Sequence, residues 1–99
     1  MQYLNSLSKL GLNQHEQDVY FALLKLEKAT ANEIDYKSKV KRPTTYDILY
    51  RLKSEGFIGE THKNNKRLFV ANNPDKILGL LDERRRELKN DLPELLSIY

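Results

Sequence analysis

Six cations fall within seventeen residues: Lys37, Lys39, Lys41, Arg42, Arg51 and Lys53, opposed by Asp47 alone, a net +5 over residues 37–53. The whole chain carries only +3, so the positive charge is concentrated in this one stretch. Ammonium and guanidinium groups at that density suit a polyanion, and duplex nucleic acid is the polyanion whose bound counterions such groups release. Thr44, Tyr46 and Tyr50 stand among the cations and offer hydroxyls and aromatic faces to bases or sugars. A second cluster, Lys63, Asn64, Asn65, Lys66 and Arg67, follows it. Other chemistries lack their residues. The chain has no cysteine, which excludes thiolate zinc sites, disulfides and a cysteine nucleophile. His15 and His62 are isolated in different elements, so no metal is expected. Glu16 with Asp18, and Asp82 with Glu83, read as helix-surface acids without a partner base. There is no glycine-rich phosphate loop and no GxSxG, and no cofactor or enzymatic activity is expected.

The elements that must position these cations are legible as spacing. Tyr3, Leu7 and Leu10, with Leu4 beside them, recur at helical intervals, and Gly11 closes that short helix. Asn13 followed by Glu16 is a capping box that opens a second helix, with Val19, Tyr20, Leu23, Leu24 and Leu26 on its apolar stripe. A further box, Thr30 to Glu33, starts a helix of about two turns built on Ile34, with Ala31 and Tyr36 as lesser core candidates. Val40 is an isolated apolar residue after it. Pro43 suits a first helical position, and a helix from Pro43 to Glu55 buries Thr45, Ile48, Leu49 and Leu52 before Gly56 stops it. Phe57–His62 and Arg67–Ala71 then read as strands around a tight Asn64-Asn65 turn.

Helix, helix, turn, helix and hairpin in this order predict a mainly α fold with a small β-hairpin, a winged helix-turn-helix. Such a fold lays its third core helix in a major groove and brings the hairpin to the backbone or the adjacent minor groove. Helix 43–55 is thus expected to read duplex DNA, with hairpin 57–71 as the wing. The expected contacts are Lys39, Lys41, Arg42, Pro43, Thr44, Tyr46, Asp47, Tyr50 and Arg51 from the helix and its approach. The wing contributes Lys63, Asn64, Asn65, Lys66 and Arg67. Asp47 is the dissenting charge; it either accepts from cytosine N4 or, as the simpler reading, pairs with Arg51 one turn on.

The pattern Leu10-Gly11-Leu12, Glu16, Val19-Tyr20, Ala22-Leu23-Leu24, Ala29-Thr30-Ala31, Glu33-Ile34, Val40, Arg42, Tyr46-Asp47, Leu49, Leu52 and Gly56 resembles the N-terminal domain of TrmB-like transcriptional regulators. The resemblance spans about residues 4 to 81. It implies sequence-specific DNA binding as a dimer, often with a C-terminal sugar-sensing domain that would begin where this chain stops. The chain is then either a minimal regulator or the DNA-binding fragment of a longer sugar-sensing one. It departs from the pattern at Lys39, where a glycine is usual. A lysine forced into the left-handed region costs roughly 1 kcal/mol, so a differently built turn is expected there.

Asn73-Pro74 supplies a cap and first residue for a last helix. Leu78, Leu81, Leu88, Leu92 and Leu95 alternate between a and d positions of a heptad, with Arg85 and Tyr99 at the remaining a sites. So narrow a seam suits a helix of a second copy better than a globular core. The dimerisation set is therefore Leu78, Leu81, Arg85, Leu88, Leu92 and Leu95. Helix 74–92 is expected to run about 28 Å and clear the core, with a kink or restart at Asp91–Pro93. Residues 1–73 form the expected DNA-binding domain and residues 74–99 a coiled-coil-like dimerisation segment. The competing arrangement folds this helix back on helix 13–28 as a monomer. No apolar run approaches the ~18 residues of a membrane span and no small-molecule site is visible, so a cytoplasmic homodimer on double-stranded DNA is expected. The alternative class is a winged-helix protein-interaction module without DNA binding, which the basic stretch argues against.

Overall fold

A computed structural model of the protein describes residues 3–99. Its elements run α1 (Asn5–Lys9), α2 (Gln14–Leu26), β1 (Lys28–Ala29), α3 (Ala31–Ser38), α4 (Arg42–Ser54), β2 (Ile58–Lys63), β3 (Lys66–Ala71) and α5 (Lys76–Ile98). This is a winged helix with a long C-terminal helix. Both capping boxes form, Asn13 with Glu16 and Thr30 with Glu33, each closed by side chain and backbone in both directions. Hydrogen bonds from Thr30 hold the Glu33 carboxyl below its ordinary range, with Lys66 adding to the shift. α1 and α4 end alike. In α1 the N–H of Gly11 reaches Ser8 and that of Leu12 reaches Leu7; in α4 Gly56 reaches Lys53 and Phe57 reaches Leu52. These paired bonds need a left-handed residue, and Gly11 (φ +100°) and Gly56 (φ +90°) supply it.

The core gathers Leu12, Val19, Tyr20 and Leu23 of the α2 region, Ile34, the α4 residues Ile48, Leu49 and Leu52, and Phe57, Ile58 and Phe69 from the wing. Leu24 and Leu26 are only partly buried, and of the two lesser α3 candidates Ala31 is buried while Tyr36 is 88% exposed. Gln17 is one of the polar residues buried with the core, along with Glu16, Ser38 and Thr45. Its amide donates to the Leu12 carbonyl at 3.0 Å and accepts from the Leu4 N–H at 2.8 Å, fastening α1 to α2.

Several sequence expectations shift. The helix expected to read DNA, α4, begins at Arg42 and ends at Ser54, one residue earlier at each end than Pro43–Glu55. The hairpin is a three-stranded antiparallel sheet in the order β1-β3-β2, because Glu27 turns the chain at φ 66° and Lys28 and Ala29 pair with Val70 and Phe69. Lys39 does take the left-handed conformation, φ 62° and ψ 22°, so the turn is the ordinary one built without its glycine. The terminal helix starts at Lys76 rather than Pro74. The Asn73 side chain accepts from the Asp75 N–H, and a tight turn over Pro74-Asp75 precedes α5. No restart occurs at Pro93; α5 runs unbroken from Lys76 to Ile98. The competing arrangement, α5 laid on α2, is not adopted, since no residue of α5 is buried. Only its first turns touch the body: Ile77 packs against the core, Leu80 lies over Gly56, and Arg84 bonds Glu55. The principal extents are 52 × 29 × 24 Å, the long one reflecting a helix that stands clear of the core.

Candidate nucleic-acid interface

α4 buries Thr45, Ile48, Leu49 and Leu52. At 3.6 residues per turn this leaves Pro43, Asp47, Tyr50 and Ser54 along its outer face, Thr44 and Arg51 on one flank and Tyr46 and Lys53 on the other. The wing folds along the Tyr46 flank. Tyr46 and Tyr50 stack one turn apart, ring centroids 6.3 Å apart at 29°. Arg67 of β3 lies over the Tyr50 ring at 4.9 Å and over Phe69 at 5.1 Å, and its Nη1 donates to the Tyr50 hydroxyl at 2.8 Å.

Glu60 of β2 holds this arrangement together. It accepts from Arg67 Nε at 2.7 Å and Nη2 at 3.1 Å, and from Lys53 Nζ at 3.0 Å. These hydrogen bonds, Arg67's before Lys53's, hold its carboxyl down at about 2. They also raise the Arg67 guanidinium above its ordinary range, with Tyr50 contributing after Glu60. The wing is thereby latched to α4 at two points, which sets their relative position.

A cleft of about 380 Å³ opens where three elements meet. Thr30, Ala31 and Asn32 at the start of α3 form one side, Arg42 and Tyr46 of α4 another, and Lys66 and Arg67 of the wing the third. Arg42, Tyr46, Lys66 and Arg67 are thus brought together. Arg42 is steadied by Asp35, its Nε donating to Oδ2 at 2.9 Å, while about half of its side chain stays exposed. Lys39 and Lys41 lie on a separate, wider depression with Lys25, Tyr36 and Lys37. Pro43, Thr44 and Asp47 are exposed on α4, and Lys63, Asn64 and Asn65 at the wing tip, where positive φ at both asparagines makes the tight turn.

Arg51 is not part of this face. Its Nη1 bonds Glu16 and its Nη2 donates to the Gly11 carbonyl at 2.9 Å, so it fastens α4 to the α1–α2 corner. The expected Asp47–Arg51 pair is therefore absent, because Arg51 has a better partner. Glu16 is no surface acid: it is 4% exposed and serves both its capping box and Arg51. Sequence reading also missed Glu60, Asp35 and the Thr30–Asn32 edge. Glu60 left a signal. The Asn64-Asn65 turn fixes the register so that Glu60 faces Phe69, which places Arg67 diagonally across on the same face. The Arg51 partner left none, lying 35 residues back along the chain.

Among the described residues no three His, Asp or Glu side chains gather as a metal site would require. No helix among them is long and apolar enough to cross a membrane.

No curated protein matches the chain. Solved structures do. The archaeal chromatin protein TrmBL2 is 25% identical and superposes with a TM-score of 0.74, covering 88% of this chain and 33% of its own. A MarR family transcriptional regulator from Silicibacter pomeroyi DSS (16% identity, TM-score 0.64) covers 94% of this chain and 58% of its own. The YusO protein from Bacillus subtilis (21%, TM-score 0.63) covers 97% and 69%. These last two share the fold. The chain spans a third of TrmBL2 and under three-fifths of the Silicibacter regulator. The family described as sugar-specific transcriptional regulator TrmB matches residues 7–75, well over half the sequence, and this chain belongs to it.

Proposed function

We propose that the protein binds double-stranded DNA sequence-specifically as a homodimeric, cytoplasmic transcriptional regulator. Residues 1–73 act as the reading head and residues 74–99 as the assembly segment. α4 enters the major groove with Thr44, Asp47 and Tyr50 toward base edges, and the wing follows the backbone through Lys63 and Lys66. The observation that carries this reading is the convergence of Arg42, Lys66 and Arg67 from two elements on one cleft beside the exposed face of α4. Phosphate contacts of this kind set register, while α4 supplies the base contacts. Membership of a regulator family supports the same assignment.

The test separates reading from holding. Binding is measured by titration against a selected operator and against scrambled duplexes. Thr44→Ala is expected to narrow the gap between operator and scrambled DNA, because its hydroxyl faces the groove. Lys66→Ala is expected to weaken both to the same degree, because it meets phosphate alone. Equal losses on all sequences from both variants would show that α4 does not read bases.

A further inference from the structure

α5 presents Leu78, Leu81, Leu88, Leu92 and Leu95 to solvent, each between 38% and 65% exposed. Arg85 is the one polar residue in the heptad seam between Leu78 and Leu95. We propose that this seam is covered by α5 of a second copy running antiparallel, with the two-fold axis passing between residues 86 and 87. The proposal rests on the dimer reading above and adds to it an orientation and a register.

The seam fixes the register. In an antiparallel pair every a residue faces a d residue. Centred as proposed, Leu78 faces the partner's Leu95, Leu81 faces the partner's Leu92, and Arg85 faces the partner's Leu88. Tyr99 then falls against the partner's Pro74. In a parallel pair each residue faces itself, which stacks Arg85 on the partner's Arg85 in the middle of an apolar seam.

Charges beside the seam select the same orientation. Asp82 and Lys89 occupy e positions; Arg84 and Asp91 occupy g positions. Antiparallel helices bring e against e and g against g. Asp82 therefore meets the partner's Lys89, and Arg84 meets the partner's Asp91. Each contact occurs twice by symmetry, four attractive pairs in all. Ile77, also at g and packed in part against its own core, leaves its remaining exposed edge towards the partner's Ile98. Parallel helices instead bring g against the following e, setting Arg84 against the partner's Lys89 and Ile77 against the partner's Asp82. Like charges there repel, and flanking charges are what set partner orientation in helix pairs.

Within the chain, Ile77 already packs in part against the core and Arg84 already bonds Glu55, but the other flanking charges are uncommitted. Among the described residues, Asp82, Lys89 and Asp91 pair with no other side chain, and Arg84 meets Glu55 through Nη2, which leaves further N–H donors. Pro93, which lacks an N–H, falls at a b position away from the seam, so its ring does not obstruct closure. With seventeen residues between the two Leu78 levels, the winged units are displaced by about 26 Å along the helix axis at 1.5 Å per residue. The reading heads then sit at opposite ends of a two-helix rod, not side by side.

The chain has no cysteine of its own, so introduced thiols report geometry directly. Full-length Leu78→Cys and Leu95→Cys are oxidised separately and after mixing. The mixture is expected to yield the disulfide-linked heterodimer and each variant alone almost none. Facing positions lie within the ~4.4–6.8 Å Cα range a disulfide needs, whereas the two Leu78 positions are about 26 Å apart. Homodisulfides in each variant alone overturn the antiparallel pair, and so does the absence of a crosslink in every arm. Lys89→Glu provides a second readout with opposite signs. It turns two attractive pairs repulsive in the antiparallel dimer and is expected to raise the dimer Kd roughly tenfold. In a parallel dimer it relieves the clash with Arg84, so an unchanged or tighter dimer contradicts the proposal. Sedimentation of the unmodified chain at tens of micromolar separates the two levels. A monomer sinks the dimer reading and this proposal together, while a dimer carrying homodisulfides sinks the orientation alone.

Discussion

At the scale of single residues, the same side-chain type does opposite work according to what lies opposite it. Arg51 and Arg67 are both ion-paired cations, yet Arg51 closes a corner with Glu16 and Gly11 away from the cleft, while Arg67, held by Glu60 and Tyr50, fastens the wing to α4 at the cleft's edge. Arg51→Ala is expected to strip a nearly buried carboxylate of its counter-charge. The cost is about 2 kcal/mol, read as a lower urea midpoint, with the salt dependence of DNA binding unchanged. A changed salt slope at constant stability would return Arg51 to the DNA face. Glu60 gives a pH signature. Its carboxyl sits at about 2 in the folded protein against an ordinary 4.5, so the folded state binds the proton less readily than the unfolded one. The latch therefore contributes its full stabilisation above about pH 4.5 and loses it as the pH falls towards 2. Thermal melts of the wild type and Glu60→Gln from pH 7 to 2 are expected to differ most at neutral pH and to converge in acid. Curves that stay parallel throughout would mean that Glu60 holds nothing.

At the scale of elements, local rules carried the fold a long way. Both capping boxes, both glycine stops, the Pro-led reading helix and the Asn-Asn hairpin were legible because each rests on contacts within five or six residues. What was not legible depends on distance or length. A two-residue strand such as β1 has no periodicity to read, and it exists because β3 offers it a free edge. The corner made by Arg51 and Glu16 joins residues 35 apart in sequence, and the Arg42–Asp35 pair, seven apart, depends on how the turn sets α3 against α4. The site residues were half legible for the same reason: their positions followed from helical spacing, their partners did not. Lys39 is the instructive case, since the sequence signalled a cost and the chain accepts it. The left-handed turn between α3 and α4 is fixed by Val40, which must be buried, and by the Ser38 hydroxyl accepting from the Val40 N–H. Lys39→Gly is thus expected to raise the melting temperature, by an amount corresponding to about 0.5–1 kcal/mol, while Lys39→Ala leaves it nearly unchanged. A destabilised glycine variant would show that the turn carries no strain.

At the scale of the whole molecule, the wing and α4 form one pre-set unit and α5 stands away from it with its apolar seam uncovered. The proposed function assigns the first part to DNA reading and α5 to joining two copies, as half-site recognition requires. On the proposed function, the basic cleft and the lysines of the α3–α4 turn would make binding to DNA chiefly electrostatic, and counterion release converts this into a slope. Observed binding constants for duplex DNA, measured by fluorescence anisotropy across a salt series, are expected to fall with log[salt] at a slope on the order of −6 to −10 for the dimer, about −0.9 per phosphate contact. A slope close to zero would contradict the proposed function, because cations unpaired among the described residues, such as Lys39, Lys41, Lys63 and Lys66, cannot hold phosphates without displacing ions.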